Sequence, residues 1–388
     1  MIRILHVVEP AKGGVPLFVR RLCEGMGEGF SFEIACPPRS EFCLAPPVGA
    51  GVHVVEMARQ IHPVKDVLAA LRLRALARSD RYDIVHLNSS KAGVLGLLLK
   101  GRLHAKMVFT PHALRSHAYP EGSLLRRAAM FLEARICAAA DLVVAVSREE
   151  QRHLTELGLA RSEKVQLIEN GVDLADLGSP PAVSRADLGL PDNAFVVGTV
   201  GRLSPQKDPV AFVSAAAIIA QRAPDAYFVM VGDGPLEREV RSLIVEADLS
   251  GRFRILGWRA NATDLLKLFD VFVLTSRYEG MPFTLLEAAG ARRAIVSTKA
   301  PGVRSLIDDG SNGLLVAIGD SQAIADAVLS LHAAPDLRAR LGDSAFEAVA
   351  GPRSLDLMVE RWGSLYRSLA RHAAQVAVPA AELPVAQR

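Results

Sequence analysis

NGVDLADLGSPPAVSRADLGLPDN, residues 170–193, is rich in Gly, Pro, Ser and Asp and separates two series of apolar segments. Each series alternates short β-branched runs with segments of helix length, the pattern of a parallel sheet covered by helices on both faces. The strand-like runs before the linker extend from IRILHVV (2–8) to KVQLIE (164–169), and those after it from FVVGTVG (195–201) to GLLVA (313–317). We therefore predict an α/β protein of two doubly wound domains, in which ligands bind at the carboxyl ends of the strands.

The length of the chain agrees with two domains, because 388 residues exceed the size at which a single hydrophobic core stops growing. We place an N-terminal domain at residues 1–180 and a C-terminal domain at residues 181–372. The last helix of the second domain can pack back on the first. The final segment, residues 373–388, has no strong amphipathic repeat and is expected to form a flexible tail.

Composition argues against several classes of protein. Half of the residues are hydrophobic and 22% are charged, which is typical of a well-packed globular enzyme rather than a disordered or fibrous chain. The cysteines form no C-x-x-C pair, so we expect a reduced cytoplasmic compartment and no zinc or redox site. The first apolar run is too short for a signal peptide, and no stretch reaches the roughly 20 apolar residues of a membrane span. Any membrane contact would therefore be at the surface.

A second stretch, SRYEGMPFTLLEAAG (276–290), carries two carboxylates in a fixed relation. Pro282 suits the first turn of a helix, where its missing N–H costs nothing, so Glu279 lies before the helix and Glu287 about one and a half turns beyond its start. The free amides between them form an anion site; they belong to Gly280, Met281, Phe283 and Thr284. These amides can hold a diphosphate while the carboxylates accept hydrogen bonds from hydroxyl groups, which favours a sugar nucleotide as the ligand.

Cations for that diphosphate are expected from a separate loop. GRLSPQKDP (201–209) follows the strand FVVGTV and carries Arg202 and Lys207. Arginine binds two phosphate oxygens through its planar guanidinium, and lysine adds a point charge. A third loop, GDGPLE (232–237), also follows a strand and lets backbone approach a ligand closely. The three loops are expected to meet at one edge of the C-terminal sheet.

In this order, the motifs resemble those of glycosyltransferase family 4 over nearly the whole chain. The resemblance rests on GG (13–14), TPH (110–112), NGVD (170–173), GRLSPQKD (201–208), VGDGPLE (231–237) and the E-x7-E pair of Glu279 and Glu287. HLNSSKAG (86–93) and FTPHAL (109–114) are most similar to members that build bacterial capsular polysaccharide, exopolysaccharide or lipopolysaccharide. The resemblance implies the GT-B fold, two Rossmann-like domains facing each other across a cleft, and retaining transfer of a sugar from a nucleotide-sugar donor.

The resemblance also assigns roles to the matching residues. The catalytic residues would be Glu279, His112, Arg202 and Lys207. The donor-binding residues would be Gly13, Gly14, Arg202, Lys207, Gly280, Met281, Pro282, Phe283 and Glu287. The two cations would bind the diphosphate, Glu287 the ribose hydroxyls, and Glu279 the transferred sugar, which His112 would face across the cleft. Gly13 and Gly14 would let the first N-terminal loop approach the donor closely, because they lack a Cβ.

The leaving group removes the need for a general acid. A nucleoside diphosphate leaves as a stable anion, so the task is to stabilise growing negative charge with fixed cations and a helix N-terminus. Glu279 and Glu287 are therefore not interpreted as the acid and base of a glycosidase. The resemblance implies that the sugar keeps its anomeric configuration. The acceptor hydroxyl would then attack from the face that the diphosphate leaves, and a phosphate oxygen would take the proton. No D-x-D triplet occurs, so no metal or cofactor is expected, and Arg202 and Lys207 would take the place of a metal.

Basic residues concentrate between positions 60 and 135, where thirteen stand against five acidic residues. Such a tract could dock an anionic membrane surface, or it could consist of unrelated solvated side chains. Nucleic acid is disfavoured as a partner because aromatic residues make up only 5% of the chain. The basic residues are Lys65, Arg72, Arg74, Arg78, Arg81, Lys91, Lys100, Arg102, Lys106, Arg115, Arg126, Arg127 and Arg135.

The sequence thus predicts a retaining glycosyltransferase that uses a nucleotide sugar, with a UDP-sugar favoured, and a glycan or lipid-linked glycan acceptor in bacterial surface polysaccharide synthesis. The enzyme would be cytoplasmic, either free or peripheral at the inner face of the cell membrane. Two departures from the family pattern bear on the donor pocket: Ser305 stands where many relatives carry glutamate, and Pro301 where glycine is common.

Three alternative functions stay open. A catalytically silent GT-B subunit could position a true transferase, although the intact Glu279, Glu287, Arg202 and Lys207 speak against it. A nicotinamide-dependent oxidoreductase would need a G-x-G-x-x-G after the first strand of a domain, and neither domain has one. A sugar-nucleotide epimerase would act without an acceptor.

Overall fold

The computed structural model describes residues 1–58, 62–79, 82–101 and 104–376. Within this part of the chain, seven parallel strands form an N-terminal sheet in the order β3-β2-β1-β4-β5-β6-β7. The strands are β1 (Ile2–Val8), β2 (Phe30–Cys36), β3 (Gly51–Val54), β4 (Ile84–Asn88), β5 (Lys106–Thr110), β6 (Leu142–Ala145) and β7 (Val165–Leu167). The central strands are apolar and buried because helices cover both faces of the sheet.

The helices of this half divide between the two faces of the sheet. Right-handed crossovers place α1 and α2 on one face and α3 to α6 on the other, because the strand order reverses direction after β3. Several helices begin at serine N-caps, whose hydroxyl oxygens accept a hydrogen bond from a first-turn amide; these are Ser89, Ser123 and Ser147. The helices are α1 (Gly14–Gly25), α2 (Glu41–Leu44), α3 (Pro63–Ser79), α4 (Ser90–Leu99), α5 (Leu124–Ala139), α6 (Arg148–Glu156) and, in the linker, α7 (Leu174–Gly178).

The same architecture repeats after the linker. In the described residues, six parallel strands form a second sheet in the order β10-β9-β8-β11-β12-β13. They are β8 (Phe195–Val200), β9 (Ala226–Val231), β10 (Phe253–Ile255), β11 (Val271–Leu274), β12 (Ala294–Thr298) and β13 (Leu314–Val316). The helices are α8 (Pro209–Arg222), α9 (Glu237–Glu246), α10 (Ala262–Leu266), α11 (Phe283–Gly290), α12 (Ser321–Ala333), α13 (Pro335–Ala350) and α14 (Leu355–Val376).

Each sheet has a switch point where the direction of strand order reverses. In the first sheet β1 pairs with both β2 and β4, and in the second β8 pairs with both β9 and β11. Open α/β sheets bind ligands in the crevice at the carboxyl ends of such strands. The loops after β1, β8 and β11 carry most of the residues that the sequence singled out.

The last helix joins the two halves. α14 lies against α1 and against strands of the N-terminal sheet. Its Trp362 and Tyr366 are fully buried beside Phe18, and Tyr366 donates to or accepts from His86 Nδ1 at 2.7 Å. One hydrophobic cluster therefore runs from the inner face of the first sheet through α14 to α11.

Two local expectations are corrected. Pro282 is the N-cap of α11, with φ −72° and ψ 126°, and the helix begins at Phe283; the extended backbone leaves the proline just outside the first turn. The tail predicted at 373–388 is shorter, because α14 continues to Val376 and the alanines at its end are strong helix formers. Residues 377–388 lie outside the described residues.

Candidate functional site

The predicted site residues lie in a cleft between the carboxyl edges of the two sheets. Lys207 and Glu279, from the loops after β8 and β11, form an ion pair with 2.5 Å between Nζ and Oε1. Ser276 donates its hydroxyl to the same Oε1, also at 2.5 Å, and the amide of Glu279 donates to Pro301 O at 2.9 Å. Glu279 is buried, so this carboxylate is held in one position with its charge compensated.

Arg202 lies in the same loop as Lys207 and is exposed. No ion pair to its guanidinium is found across the ranges that the structure describes. The GDG loop after β9 is tied to the Arg202 loop by backbone hydrogen bonds, from Leu203 N to Asp233 O at 2.9 Å and from Leu236 N to Leu203 O at 3.0 Å. The three loops thus meet at one edge of the second sheet.

The N-terminus of α11 offers free donors next to this ion pair. Within the described chain, the amides of Gly280, Met281, Phe283 and Thr284 donate no hydrogen bond. Thr284 Oγ1 is also buried without a partner among the described residues. Unpaired amides at a helix N-terminus bind anions, because the helix dipole adds to their partial positive charge.

The N-terminal domain approaches this helix closely. Gly13 has φ 103°, a conformation that glycine adopts without strain, and begins α1 by accepting from Leu17 N. Gly14 lies against the Phe283 ring, 3.5 Å from a Cβ built on the glycine. Gly280 lies against the carbonyl of His112, where a Cβ would come within 2.3 Å of the oxygen. The glycine loop, the TPH loop and the E-x7-E loop therefore line one cleft.

His112 occupies this cleft as a neutral side chain. Burial lowers its pKa from 6.5 to about 3. Asn88 uses its amide N–H groups on His6 Nδ1 at 3.2 Å and His86 O at 3.0 Å, so its Oδ1 accepts from His112 Nε2 at 3.3 Å. His112 then carries its proton on Nε2, and Nδ1 is a hydrogen-bond acceptor. Its φ of 60° is unusual for a residue other than glycine and accompanies the close packing against Gly280.

Glu287 is engaged within the protein rather than open to the cleft. Its Oε1 accepts from Arg21 of α1 at 3.0 Å, and both side chains are about nine-tenths buried. Burial raises the pKa of Glu287, and the charge of Arg21 opposes that shift. Arg21 also donates to Gly171 O and lies over the Phe283 ring. The predicted ribose contact would therefore use the remaining carboxylate oxygen or displace Arg21.

The two departures from the family pattern have structural partners. Ser305 Oγ accepts from the amide of Glu149 at 3.2 Å, and Glu149 belongs to the first turn of α6 in the N-terminal domain. The Glu149 carboxylate binds Gly302 N at 2.7 Å and the guanidinium of Arg304. Pro301 supplies the carbonyl that accepts from Glu279. Both departures thus take part in joining or ordering the loops of the site.

Sequence reasoning missed four residues that position the site, of which Arg21, Glu149 and Asn170 act across the domains and Asn88 acts within the N-terminal domain. Arg21 binds Glu287 on α11, Asn88 and Glu149 each bind a site loop, and Asn170 donates to Met281 O at 2.8 Å. Asn170 lies in the NGVD motif and Asn88 in HLNSSKAG, so the sequence carries a signal for both. Arg21 and Glu149 carried no such signal, because their partners lie 266 and 153 positions away.

The basic tract is less uniform than its charge count. Lys91 is buried in an ion pair with Asp66, and Arg126 pairs with Glu121 at 3.0 Å. Arg81 and Arg102 lie outside the described residues. In the described part of the chain, no cluster of His, Cys, Asp or Glu has the arrangement of a metal site.

Comparison with known proteins agrees with this arrangement. Residues 12–176 match the family model Glycosyltransferase Family 4, and residues 182–348 match Glycosyl transferases group 1. The UDP-Gal:alpha-D-GlcNAc-diphosphoundecaprenol alpha-1,3-galactosyltransferase of Escherichia coli is 32% identical over 289 residues, 71% of this chain and 73% of that protein. The lipopolysaccharide core biosynthesis glycosyltransferase LpsE of Rhizobium meliloti is 30% identical over 228 residues, 59% of this chain and 64% of that protein.

Solved structures share the fold at low sequence identity. Anabaena Alr3699/HepE in complex with UDP aligns with a TM-score of 0.77 at 22% identity, covering 95% of this chain and 100% of that one. Sucrose-phosphate synthase from Thermosynechococcus elongatus aligns with a TM-score of 0.83 at 21% identity, covering 96% and 100%. With its two doubly wound domains and its match to both family models, the chain belongs to glycosyltransferase family 4 and has the GT-B fold.

Proposed function

We propose that this glycosyltransferase retains configuration, needs no metal or other cofactor, and transfers a sugar from a UDP-sugar to a lipid-linked glycan in bacterial surface polysaccharide synthesis. The observation that carries the proposal is the Lys207–Glu279 ion pair beside the unpaired amides of α11, facing His112 across the cleft. This combination places a cation, a helix N-terminus and groups that accept hydrogen bonds from sugar hydroxyls within one site.

The donor would be oriented by its diphosphate. Its oxygens would bind the amides of Gly280 and Met281 at the start of α11, with Lys207 and the exposed Arg202 supplying positive charge. As the bond from the anomeric carbon to the phosphate oxygen breaks, these groups stabilise the growing negative charge. Lys207 and Arg202 would thus supply the charge stabilisation that a bridging metal ion supplies in other enzymes.

The transferred sugar would lie between the two domains. The Glu279 carboxylate, fixed by Lys207 and Ser276, would accept from a sugar hydroxyl, and His112 Nδ1 would accept from another. The low pKa of His112 keeps it neutral, so it orients the sugar without donating a proton to the leaving group. Retention requires the acceptor hydroxyl to attack from the face of the sugar that the diphosphate leaves. The proton of that hydroxyl would therefore pass to an oxygen of the departing diphosphate.

The choice of donor and acceptor rests on relatives. The Escherichia coli relative carries UDP-Gal and a diphosphoundecaprenol-linked sugar in its name, and a structural neighbour was crystallised with UDP. The chain would work where nucleotide sugars are made, in the cytoplasm or at the inner face of the membrane. A silent subunit is the alternative, and the compensated, preformed Glu279 pair favours the active enzyme over it.

The test is a transfer assay in EDTA with UDP-sugars and an undecaprenyl-diphosphate-linked sugar, in which NMR reports the anomeric configuration of the product. We expect transfer with the donor's configuration, lost by at least about a hundredfold in Glu279→Gln. Glu246→Gln, a change of an exposed carboxylate at the end of α9 and outside the site loops, is the matched control. Inversion would overturn the retaining mechanism, dependence on added metal would overturn metal independence, and UDP binding without any transfer would favour the silent subunit.

A further inference from the structure

The helical layer on the outer face of the N-terminal sheet exposes a row of large apolar side chains. α4 lies between α3 and α5 and contacts both, so the three helices form one layer. On the first, Val64, Leu68 and Leu71 fall on one stripe at helical spacing, and on the last, Leu124 and Phe131 do the same. These five side chains are 52% to 78% exposed. We call this surface, with the arginines named below, the α3/α5 face.

The face is strongly basic. Arg72 and Arg78 on α3 and Arg127 and Arg135 on α5 are exposed. No carboxylate pairs with these four in the portion of the chain that the structure covers. The exposed acidic residues beside the face, Glu56 and Glu121, are each engaged by a basic neighbour, Lys65 at 3.4 Å and Arg126 at 3.0 Å.

The apolar row begins at the edge of the sheet that carries the site and extends along the two helices to Leu71 and Phe131. In a parallel α/β sheet each helix runs antiparallel to its strands, so helix N-termini stand at the carboxyl edge. Val64 and Leu68 are in the first two turns of α3, and Leu124 is the first residue of α5. The loop that leads into α5 is the one that carries His112.

We propose that the α3/α5 face docks on an anionic lipid bilayer, with the apolar row inserted among the acyl chains and the arginines on the headgroups. Interfacial helices typically combine apolar side chains with flanking arginines, and each arginine near an anionic surface adds to the affinity.

A second copy of the chain is a poorer occupant of this face, because a two-fold contact would set arginines against arginines. The inference rests on the proposed function, since the bilayer would present a lipid-linked acceptor beside the cleft. Docking itself can be measured without donor or acceptor. No helix among the described residues is long and apolar enough to cross a membrane.

Docking is tested by flotation with vesicles of phosphatidylcholine alone and of phosphatidylcholine mixed with phosphatidylglycerol. We expect the wild-type protein to float with the mixed vesicles, and the partition coefficient to fall about tenfold or more in Val64→Ser/Leu124→Ser/Phe131→Ser and in Arg72→Gln/Arg127→Gln/Arg135→Gln. Val245→Ser on α9, an equally exposed apolar side chain of the other domain, is the matched control and should float like the wild type.

The outcomes separate docking from the proposed activity. UDP binding should be unchanged in both triple variants, which also shows that they fold. A wild-type protein that floats with neither vesicle overturns the proposal, as does an apolar triple variant that floats as well as Val245→Ser. A dimer in sedimentation velocity that the apolar triple variant dissociates, with no vesicle binding, would assign the face to a second copy.

Discussion

At the scale of single residues, Asn88 fixes the hydrogen-bonding direction of His112. In Asn88→Ala the buried Nε2–H of His112 loses its acceptor, which costs about 1–3 kcal/mol and frees the ring to change tautomer. We expect kcat/KM to fall about tenfold with UDP binding unchanged. Nitrogen-15 chemical shifts of His112 report the tautomer directly. Thr110→Val, which removes a bond from the neighbouring His86, is the control. An Nδ1–H tautomer in the wild-type protein would contradict the assignment.

Glu150 makes the stability of the protein depend on pH. Burial raises its pKa from 4.5 to about 7, opposed by the hydrogen bond from Val146 N and assisted by the charge of Glu133. Between these values the native state binds more protons than the unfolded state, so stability present below pH 4.5 is lost as the pH rises through about 7. Glu150→Gln keeps an acceptor and cannot ionise. Its stability relative to the wild type should therefore rise by roughly 3 kcal/mol across this window, measured by urea unfolding. Parallel profiles for the two proteins would contradict the shift.

At the scale of loops and helices, the direct contact between Gly280 and His112 couples the two domains. In Gly280→Ala the new Cβ would lie 2.3 Å from His112 O and 3.0 Å from Val146 Cγ2, so a loop must move. We expect kcat/KM to fall at least about tenfold, because such overpacking typically costs 1–3 kcal/mol. In Gly251→Ala the Cβ meets nothing within 4 Å, and this variant should keep wild-type activity. Equal activity of the two variants would show that the contact does not matter for transfer.

The elements also show what sequence can and cannot predict. The alternation of β-branched runs and helical segments was enough to predict two doubly wound sheets. The loop glycines, Arg202 and Lys207 could be proposed as site residues because their loops follow strands. The partner of Glu287 could not be predicted, because Arg21 reaches it only through the packing of α1 against α11. The contact of α14 with the N-terminal domain agrees with the expectation that the last helix packs back on the first domain. The residues that cover it could not be predicted, since an amphipathic helix specifies an apolar face but not the surface that covers it.

At the scale of the whole molecule, Glu149 holds the domains together at one side of the cleft. Its carboxylate binds Gly302 N and Arg304, both in the C-terminal domain. Glu149→Ala removes these bonds, and we expect a larger radius of gyration in small-angle X-ray scattering, because the cleft is then held by fewer contacts, chiefly Arg21–Glu287 and the packing of α14. Arg222→Ala, which breaks an exposed ion pair within one domain, should leave the radius unchanged. A Glu149→Ala protein with the wild-type radius would show that the other contacts between the domains, such as Arg21–Glu287 and the packing of α14, are enough to set the arrangement.

The central claim is a donor site in which cations of the loop after β8 replace a metal. Calorimetric titration with UDP in EDTA, with GDP and ADP for comparison, tests it on the wild-type protein and on Arg202→Ala/Lys207→Ala. We predict that the wild type binds UDP without metal and that the double variant loses binding by at least about a hundredfold, since each cation contributes a charge-assisted bond. Binding of UDP by the double variant at wild-type strength, or by the wild type only after metal is added, would contradict the account.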